Sequence, residues 1–133
     1  MKVLNKKLAP RYIRPEGIIS YLLASPRTSD AKYLTTSLVE IGPGGNQRIH
    51  GHVPEQIYFI LEGKGLMKVG DEKAHVGPGD CIFIPSQTPH GLNNDGQALL
   101  RYFSAAAPAF GREQLENLWP MKSEMEVNEN QGR

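Results

Sequence analysis

The sequence predicts an all-β fold: an antiparallel β-barrel followed by one short C-terminal helix. Fourteen glycines and ten prolines divide the 133-residue chain into short apolar runs of strand length. Turn-forming segments such as GPGGN, GPGD and NNDGQ lie between these runs. Strands separated only by turns leave little room for the crossover helices of a parallel sheet, so an antiparallel barrel is the expected architecture.

The predicted elements follow one another closely along the chain. Strands are expected at GIISYLL, LTTSLVEI, QRIHGH, IYFILEG, GLMKVG, EKAHV, DCIFIP, HGLNN and ALLRYFS. A helix is predicted over Arg112–Trp119, where an apolar stripe is followed by a proline that stops the helix. The stripe consists of Leu115, Leu118 and Trp119.

The charge balance bears on the partners of this protein. Fifteen basic and fourteen acidic side chains give a net charge of +1. We expect no nucleic-acid partner, because phosphate binding depends on clustered lysine and arginine. The N-terminal stretch holds the one basic patch, which is interpreted as a solvated arm; its members are Lys2, Lys6, Lys7, Arg11 and Arg14.

Length and cysteine content predict the domain organisation and the compartment. We expect one domain over residues 1–120 and a polar tail over residues 121–133 that frays. No apolar run approaches the about 20 residues that span a membrane, so no membrane association is expected. Cys81 is the one cysteine and has no disulfide partner in the chain, which fits a reducing compartment and predicts a cytoplasmic protein.

A pair of histidines marks the candidate site. His50 and His52 lie one residue apart in a predicted strand. Side chains at positions i and i+2 of a strand share one face, with Cα atoms about 6.6 Å apart, so both rings could reach one ion. A histidine pair of this kind could also lie on a surface strand by chance.

The same strand parity adds further residues to this face. Arg48 and Tyr58 join it, and Gln56 does so if pairing resumes without a bulge at Val53 and Pro54. A bulge there would turn Glu55 inward instead, because a shift of one residue reverses every side chain. Arg48 could bind a substrate carboxylate or form a surface ion pair. Tyr58 could donate a proton or fill the core.

A third histidine completes the predicted metal site. His90 follows a proline-bounded turn far along the chain, and three imidazoles with an amide oxygen could hold one divalent transition metal: Zn, Mn, Ni, Fe or Cu. The predicted ligands are His50, His52, Gln56 and His90. His75 is interpreted as a hydrogen-bonded core residue. Of Arg101 and Tyr102, which alternate on the last strand, one should face the site.

Two spaced motifs carry a resemblance to a known family. The first comprises Gly44, His50, His52, Gln56 and Gly63, and the second comprises Gly79, Pro85, Gln87, His90 and Asn94. The chain thereby resembles the cupin superfamily, specifically its small single-domain metal-binding members. The two glutamines depart from the family pattern, which has glutamate and glycine at these positions. The motif glycines are interpreted as turn residues with positive φ, and Asn94 as a turn cap rather than a group supporting the metal ligands.

The resemblance implies a fold, an assembly and a function. The fold would be a double-stranded β-helix, or jelly roll, and the assembly a homodimer in which the stretch before Gly44 adds a strand to the partner's sheet. Gln56 would leave the charge of the ion uncompensated, which favours anionic ligands such as carboxylates and disfavours higher oxidation states. Some small cupins that open or isomerise unsaturated uronic sugars carry three histidines and a glutamine.

These implications predict a metal-dependent isomerase or lyase that acts on a small carboxylate or sugar acid. Two alternatives remain open at this point. The first is a metal-dependent dioxygenase, and the second is a non-catalytic module that binds a metal or a small molecule.

Overall fold

Ten β-strands, all paired antiparallel, form the framework of residues 1–120, the part of the chain that the computed structural model describes. The predicted tail over residues 121–133 lies outside the described residues. The strands are β1 Arg11–Arg14, β2 Ile18–Leu22, β3 Thr35–Ile41, β4 Asn46–His50, β5 Glu55–Glu62, β6 Gly65–Val69, β7 Glu72–Val76, β8 Cys81–Ile84, β9 His90–Asn93 and β10 Leu100–Ala107. A 3-10 turn at Lys6–Leu8 precedes them, and helix α1, Arg112–Leu118, follows them.

The strands form two sheets that face each other. The larger sheet has the order β1-β2-β3-β10-β5-β8, and the smaller one has the order β4-β9-β6-β7. Inward-facing side chains of both sheets form one core: Ile18, Val39, Ile41, Tyr58, Ile60, Met67, Val76, Ile84, Leu92, Leu100 and Tyr102. The all-β fold with a short C-terminal helix is confirmed. No helix among residues 1–120 is long and apolar enough to cross a membrane.

The predicted turn glycines have positive φ angles. Gly44, Gly63 and Gly79 have φ of 78°, 80° and 91°. At Gly63 the absence of a side chain is also a packing requirement, because an added Cβ would lie 2.3 Å from the carbonyl oxygen of Leu99. Gln87 stands at the motif position of a glycine and keeps the left-handed conformation, with φ of 59°. The turn geometry of the motif is therefore retained without its glycine.

The N-terminal stretch contains a strand that the sequence reading missed. Residues 11–14, expected to be part of a solvated arm, form β1 and pair with β2 of the same chain, with Arg14 opposite Ile18. The connecting turn is closed by a hydrogen bond of 3.2 Å from the main-chain N–H of Gly17 to the carbonyl oxygen of Arg14. Strand β1 thus forms one edge of the protein's own larger sheet.

Helix α1 covers one end of the barrel. Leu115 and Trp119 are buried against Leu22, Ala106 and Phe110. The indole N–H of Trp119 donates a 3.2 Å hydrogen bond to the carbonyl oxygen of Ser20 in β2. The predicted apolar stripe therefore attaches the helix to the larger sheet beside the candidate site.

An ion-pair network on the outer side of the larger sheet includes Arg101 and shows which of Arg101 and Tyr102 faces the barrel interior. Tyr102 faces inward, whereas Arg101 faces outward and donates hydrogen bonds of 2.7 Å to Glu40 and Glu62. Glu40 also accepts hydrogen bonds from Tyr21 and Lys6. Burial alone would raise the pKa of Glu40, but these donors outweigh it and hold the pKa below the usual range of a glutamate.

The interpretation of His75 as a core residue is wrong. Its side chain is 81% exposed on β7, and its Nδ1 lies 3.8 Å from a carboxylate oxygen of Asp95. Strand β7 is the edge of the smaller sheet, and only its last residue, Val76, is buried. An edge strand with one covered residue cannot enclose an imidazole, so His75 lies in solvent.

Candidate metal centre

Two strands and one loop bring the three motif histidines together. His50 ends β4, His90 begins β9, and the two residues are paired across the smaller sheet. His52 follows two residues after the end of β4. The ring centroids of His50 and His90 lie 4.2 Å apart, and those of His52 and His90 lie 5.1 Å apart. The potential ligand atoms of the three side chains all lie within 4.8 Å of one another.

Each of these rings is oriented by a carbonyl group of the main chain. The Nδ1 atoms of His50, His52 and His90 lie 2.8, 2.8 and 2.9 Å from the carbonyl oxygens of Arg48, Pro54 and Thr88. A carbonyl oxygen only accepts, so each Nδ1 carries the proton and each Nε2 presents its lone pair. Hydrogen bonding at one ring nitrogen commonly orients the other nitrogen toward a metal.

The lone pair on Nε2 of His90 is suited to bind a cation. Nε2 of His90 is buried and has no hydrogen-bond partner among the described residues. Burial lowers the pKa of His90 to about 4, with smaller contributions from His50 and His52. Burial likewise lowers the pKa of His50. Neutral imidazoles are the form that binds metals, so burial favours the metal-binding form of His50 and His90.

Gln56 rather than Glu55 points into the site. Gln56 is 7% exposed, whereas Glu55 lies on the outer surface. The side-chain Oε1 of Gln56 lies 2.8 Å from Nε2 of His52, and its amide donates a hydrogen bond to Oγ of Ser104. Two acceptors face each other at this contact. A cation beside both atoms, a second proton on the ring or a 180° rotation of the amide would satisfy it.

This strand arrangement and histidine cluster lead to a family assignment. Residues 37–105 match the family model described as Cupin domain. The chain belongs to the cupin family. The match includes both motifs, so the resemblance seen in the sequence is confirmed. Metal binding is common among cupins, and the clustered histidines of this cupin lie within the matched range.

Similar proteins agree with this assignment. The uncharacterised protein MJ1618 of Methanocaldococcus jannaschii is 37% identical over 124 residues, which cover 89% of this chain and 97% of that protein. Dimethylsulfoniopropionate lyase DddW of Ruegeria pomeroyi is 26% identical over 98 residues, which cover 74% of this chain and 61% of the lyase. A predicted oxalate decarboxylase of Thermotoga maritima has a TM-score of 0.72 and 19% identity, with 80% of this chain and 99% of that chain covered. The last similarity shows the shared fold.

A bulge in β4 places Arg48 away from the face expected from strand parity. Gln47 is opposite Leu92 and His50 is opposite His90, so two residues of β4 span the single residue Gly91. The extra residue reverses the parity, and Gln47 is buried on the inner side in place of Arg48. The Arg48 side chain is 74% exposed and forms an ion pair of 3.2 Å with Glu16. The structure therefore favours the surface ion pair among the two alternatives for Arg48.

Tyr58 lies inside the barrel of this cupin, next to the histidines. Its ring is 5.9 Å from that of His90, edge to face, and 4.2 Å from that of Tyr102, which stacks on it. Burial raises the pKa of Tyr58 to about 12. The hydroxyl is therefore protonated at neutral pH and can act as a hydrogen-bond donor. Its catalytic role stays a prediction.

Asn94, the last residue of the second motif, acts as a turn residue. Its buried amide donates hydrogen bonds of 2.9 Å to the carbonyl oxygens of Ile41 and Ala98. Its Oδ1 accepts a hydrogen bond from the main chain of Gly96. All of its polar atoms are engaged by the main chain, so the interpretation of Asn94 as a turn cap is confirmed.

Helix α1 separates two openings that lead to the histidines. A groove of about 480 Å³ reaches His50, and a groove of about 530 Å³ reaches His52; Gln114 and Asn117 of the helix line both grooves. A cavity of about 30 Å³ lies deeper, beside Gln56 and Tyr58. That volume is enough for about two water molecules or for part of a small ligand.

Several residues that line the deeper cavity were not predicted from the sequence, among them Arg14, Gln47 and Ser104. The segment RYIRPEGIIS offered a signal for Arg14, because a proline and a glycine between two apolar stretches predict a hairpin. The inward position of Gln47 depends on the bulge in β4. The position of Ser104 depends on the pairing of β10 with β5, which places it opposite Tyr58. No local sequence pattern predicts either position.

Proposed function

We propose that this cupin is a metal-dependent enzyme that acts on a small carboxylate or sugar acid by isomerase- or lyase-type chemistry. The observation that carries the proposal is the neutral donor set. The imidazoles of His50, His52 and His90 and the amide of Gln56 lie together, and among the described residues no aspartate or glutamate lines the adjoining cavity. The anion that would balance a divalent ion there has to come from the ligand.

The relatives support a carboxylate substrate. DddW is a lyase whose named substrate is a propionate, and the structural neighbour from Thermotoga maritima is a predicted oxalate decarboxylase. Both names denote a substrate that carries a carboxylate group. The chain spans 61% of DddW, so the activity of that lyase is not carried over as such.

A divalent ion held by His50, His52, His90 and Gln56 would supply Lewis-acid polarisation of a substrate oxygen. The side chains around the ion would orient its ligands and hold a proton. Ser104 orients the amide of Gln56 through their hydrogen bond. Tyr58 holds a proton within the barrel, and burial keeps that proton in place at neutral pH. Phe110, whose ring lies 5.0 Å from that of His52, packs against this histidine on the helix side.

Elemental analysis of protein purified without added metal is the first test. We expect one equivalent of a transition metal per chain, and a metal-free protein that gains no metal on incubation would contradict the proposal. The loaded protein would then be screened with small carboxylates and unsaturated uronates, following loss of the conjugated double bond by ultraviolet absorption. Oxygen consumption by the iron-loaded protein would instead favour the dioxygenase alternative. A loaded protein that binds carboxylates without turnover would favour the binding module.

We further propose that the protein is a homodimer that works in the cytoplasm. Beside the ion-pair network, the outer face of the larger sheet carries an apolar patch, since Phe59 lies opposite Phe103 and Cys81, and Phe83 is 56% exposed. A second copy of the chain would cover this face. Cys81 is free and exposed, which fits a reducing compartment. A monomeric mass by light scattering at micromolar concentration would contradict the dimer.

A further inference from the structure

Arg14 is placed at the site by the strand that the sequence reading missed. It ends β1 and lines both the groove of about 480 Å³ that reaches His50 and the deeper cavity beside Gln56 and Tyr58. Its guanidinium lies over the ring of Tyr12, two residues earlier on the same face, with Cζ 5.4 Å from the ring centroid. The stacked ring holds the guanidinium in one orientation.

The guanidinium of Arg14 lacks an anionic partner. Its Nε is buried without a hydrogen bond, and Arg14 forms no ion pair with any residue of the described range. The other arginine of the groove is different, because Arg48 is paired with Glu16. Burying part of a cation without a counterion costs electrostatic free energy, and this cost rises when a second positive charge binds nearby.

The electrostatic influence of Arg14 reaches the candidate ligands. Burial is the main cause of the lowered pKa of His50, and the charge of Arg14 contributes to the same shift. The charge of Arg14 also opposes the effect of burial on the pKa of Tyr58. The geometry agrees, because Arg14 and His50 line the same groove and the same deeper cavity.

We propose that Arg14 binds the carboxylate of the substrate and that the substrate extends from Arg14 to the histidine cluster. This assignment rests on the proposed function. A guanidinium offers two parallel N–H donors that match the two oxygens of a carboxylate. The opposite end of the ligand then needs an oxygen of its own to face the histidines. The expected substrates are therefore hydroxy acids, keto acids, dicarboxylates or sugar acids, rather than simple fatty acids.

Binding measurements on the metal-loaded protein test the assignment. The probes are L-malate and D-glucuronate, with D-glucose as the matched ligand that lacks a carboxylate, measured by calorimetry on protein loaded with Zn²⁺. We expect Arg14→Gln to weaken the binding of the carboxylates by about 10- to 100-fold, since a charge-assisted bidentate pair is lost. Arg14→Lys should recover part of the affinity, because it keeps the charge without the paired donors.

Two further readouts separate binding from a structural role. Arg14→Gln should bind Zn²⁺ as tightly as the parent protein or more tightly, because a neighbouring positive charge is removed. Arg11→Gln is the matched control, since it removes the same charge from the opposite face of the same strand. If Arg14→Gln does not fold, Arg14→Lys provides the test. If Arg14 had a purely structural role as a cation, the lysine would keep the charge and carboxylate affinity would not change.

The outcomes distinguish the two proposals. If the parent protein takes up no metal or binds neither probe, the proposed function fails and the role of Arg14 fails with it. If the parent binds the carboxylates and the Arg14 variants bind them equally well, only the role of Arg14 is overturned. A loss of carboxylate affinity in Arg48→Gln without a loss in Arg14→Gln would also overturn the role of Arg14. It would assign carboxylate binding to Arg48, the residue that strand parity indicated.

Discussion

The substitution Gln56→Glu tests the idea that uncompensated positive charge selects carboxylate ligands. The side-chain oxygen of Gln56 lies 2.8 Å from Nε2 of His52, so a glutamate here would place its negative charge directly at the candidate ion. The residue is 7% exposed, and water would therefore screen the new charge only weakly. The variant changes the charge of the site while keeping the size and shape of the side chain.

The expected magnitude follows from the distance between two carboxylates that contact one ion. At about 5 Å and an effective dielectric constant of about 20, two unit charges repel by about 3 kcal/mol, which corresponds to about two orders of magnitude in affinity. The ion between them offsets part of this repulsion. We therefore expect Gln56→Glu to bind L-malate about 10- to 100-fold more weakly than the parent protein, and to retain Zn²⁺ at least as tightly.

Calorimetry with Zn²⁺ and then with L-malate would measure both quantities. Gln87→Glu is the matched control, because it makes the same chemical change on an exposed side chain, where screening by water should leave malate affinity nearly unchanged. A Gln56→Glu variant that retains the metal and binds malate equally well or better would refute the charge argument. The preference for carboxylates would then need another origin.

Three further predictions concern metal binding and stability. His90→Ala should abolish stoichiometric binding of Zn²⁺, whereas the exposed His75 can be changed to alanine without loss; equal retention by both variants would remove His90 from the ligand set. Gly63→Ala should lower the free energy of unfolding by at least about 2 kcal/mol more than Gly79→Ala, measured by urea denaturation. Both positions have positive φ, but only at Gly63 would the added Cβ meet main-chain atoms within 3 Å. Glu40→Gln should lower stability by about 2 to 4 kcal/mol at neutral pH, since charged hydrogen bonds are lost. Because the folded pKa of Glu40 is lowered, its contribution is complete above the unfolded pKa and is lost as the pH falls through the folded value, so the parent and the variant should converge in acid.

Much of the fold could be predicted because the relevant preferences are local. The strand runs, the helix at Arg112–Leu118 and the turns at Gly44, Gly63 and Gly79 depend on apolar spacing and on backbone conformations that only a few neighbouring residues decide. The motif spacing also identified the histidines that cluster in the structure. Gln56 could be placed on their face because pairing resumes in β5 with the expected parity.

Other features depend on partners that are distant in the chain. The bulge that turns Arg48 outward exists because β4 must pair with β9 around Gly91, where an added Cβ would lie 2.9 Å from the carbonyl oxygen of Gln47. The exposure of His75 follows from the position of β7 at the edge of its sheet. Neither the register of a strand nor its position in a sheet can be read from its own residues.

By itself, the sequence determined the class of fold, the family and the histidines of the candidate centre, because each of these follows from residue types at fixed spacing. Only the tertiary structure decided which arginine lines the cavity at that centre and which nitrogen of each imidazole contacts the main chain. Arg14 reaches the site through the pairing of β1 with β2, and the rings are oriented by carbonyl groups of the folded main chain. Side-chain direction at a site depends on hydrogen bonds and register formed across the fold, and these exist only once the strands are paired.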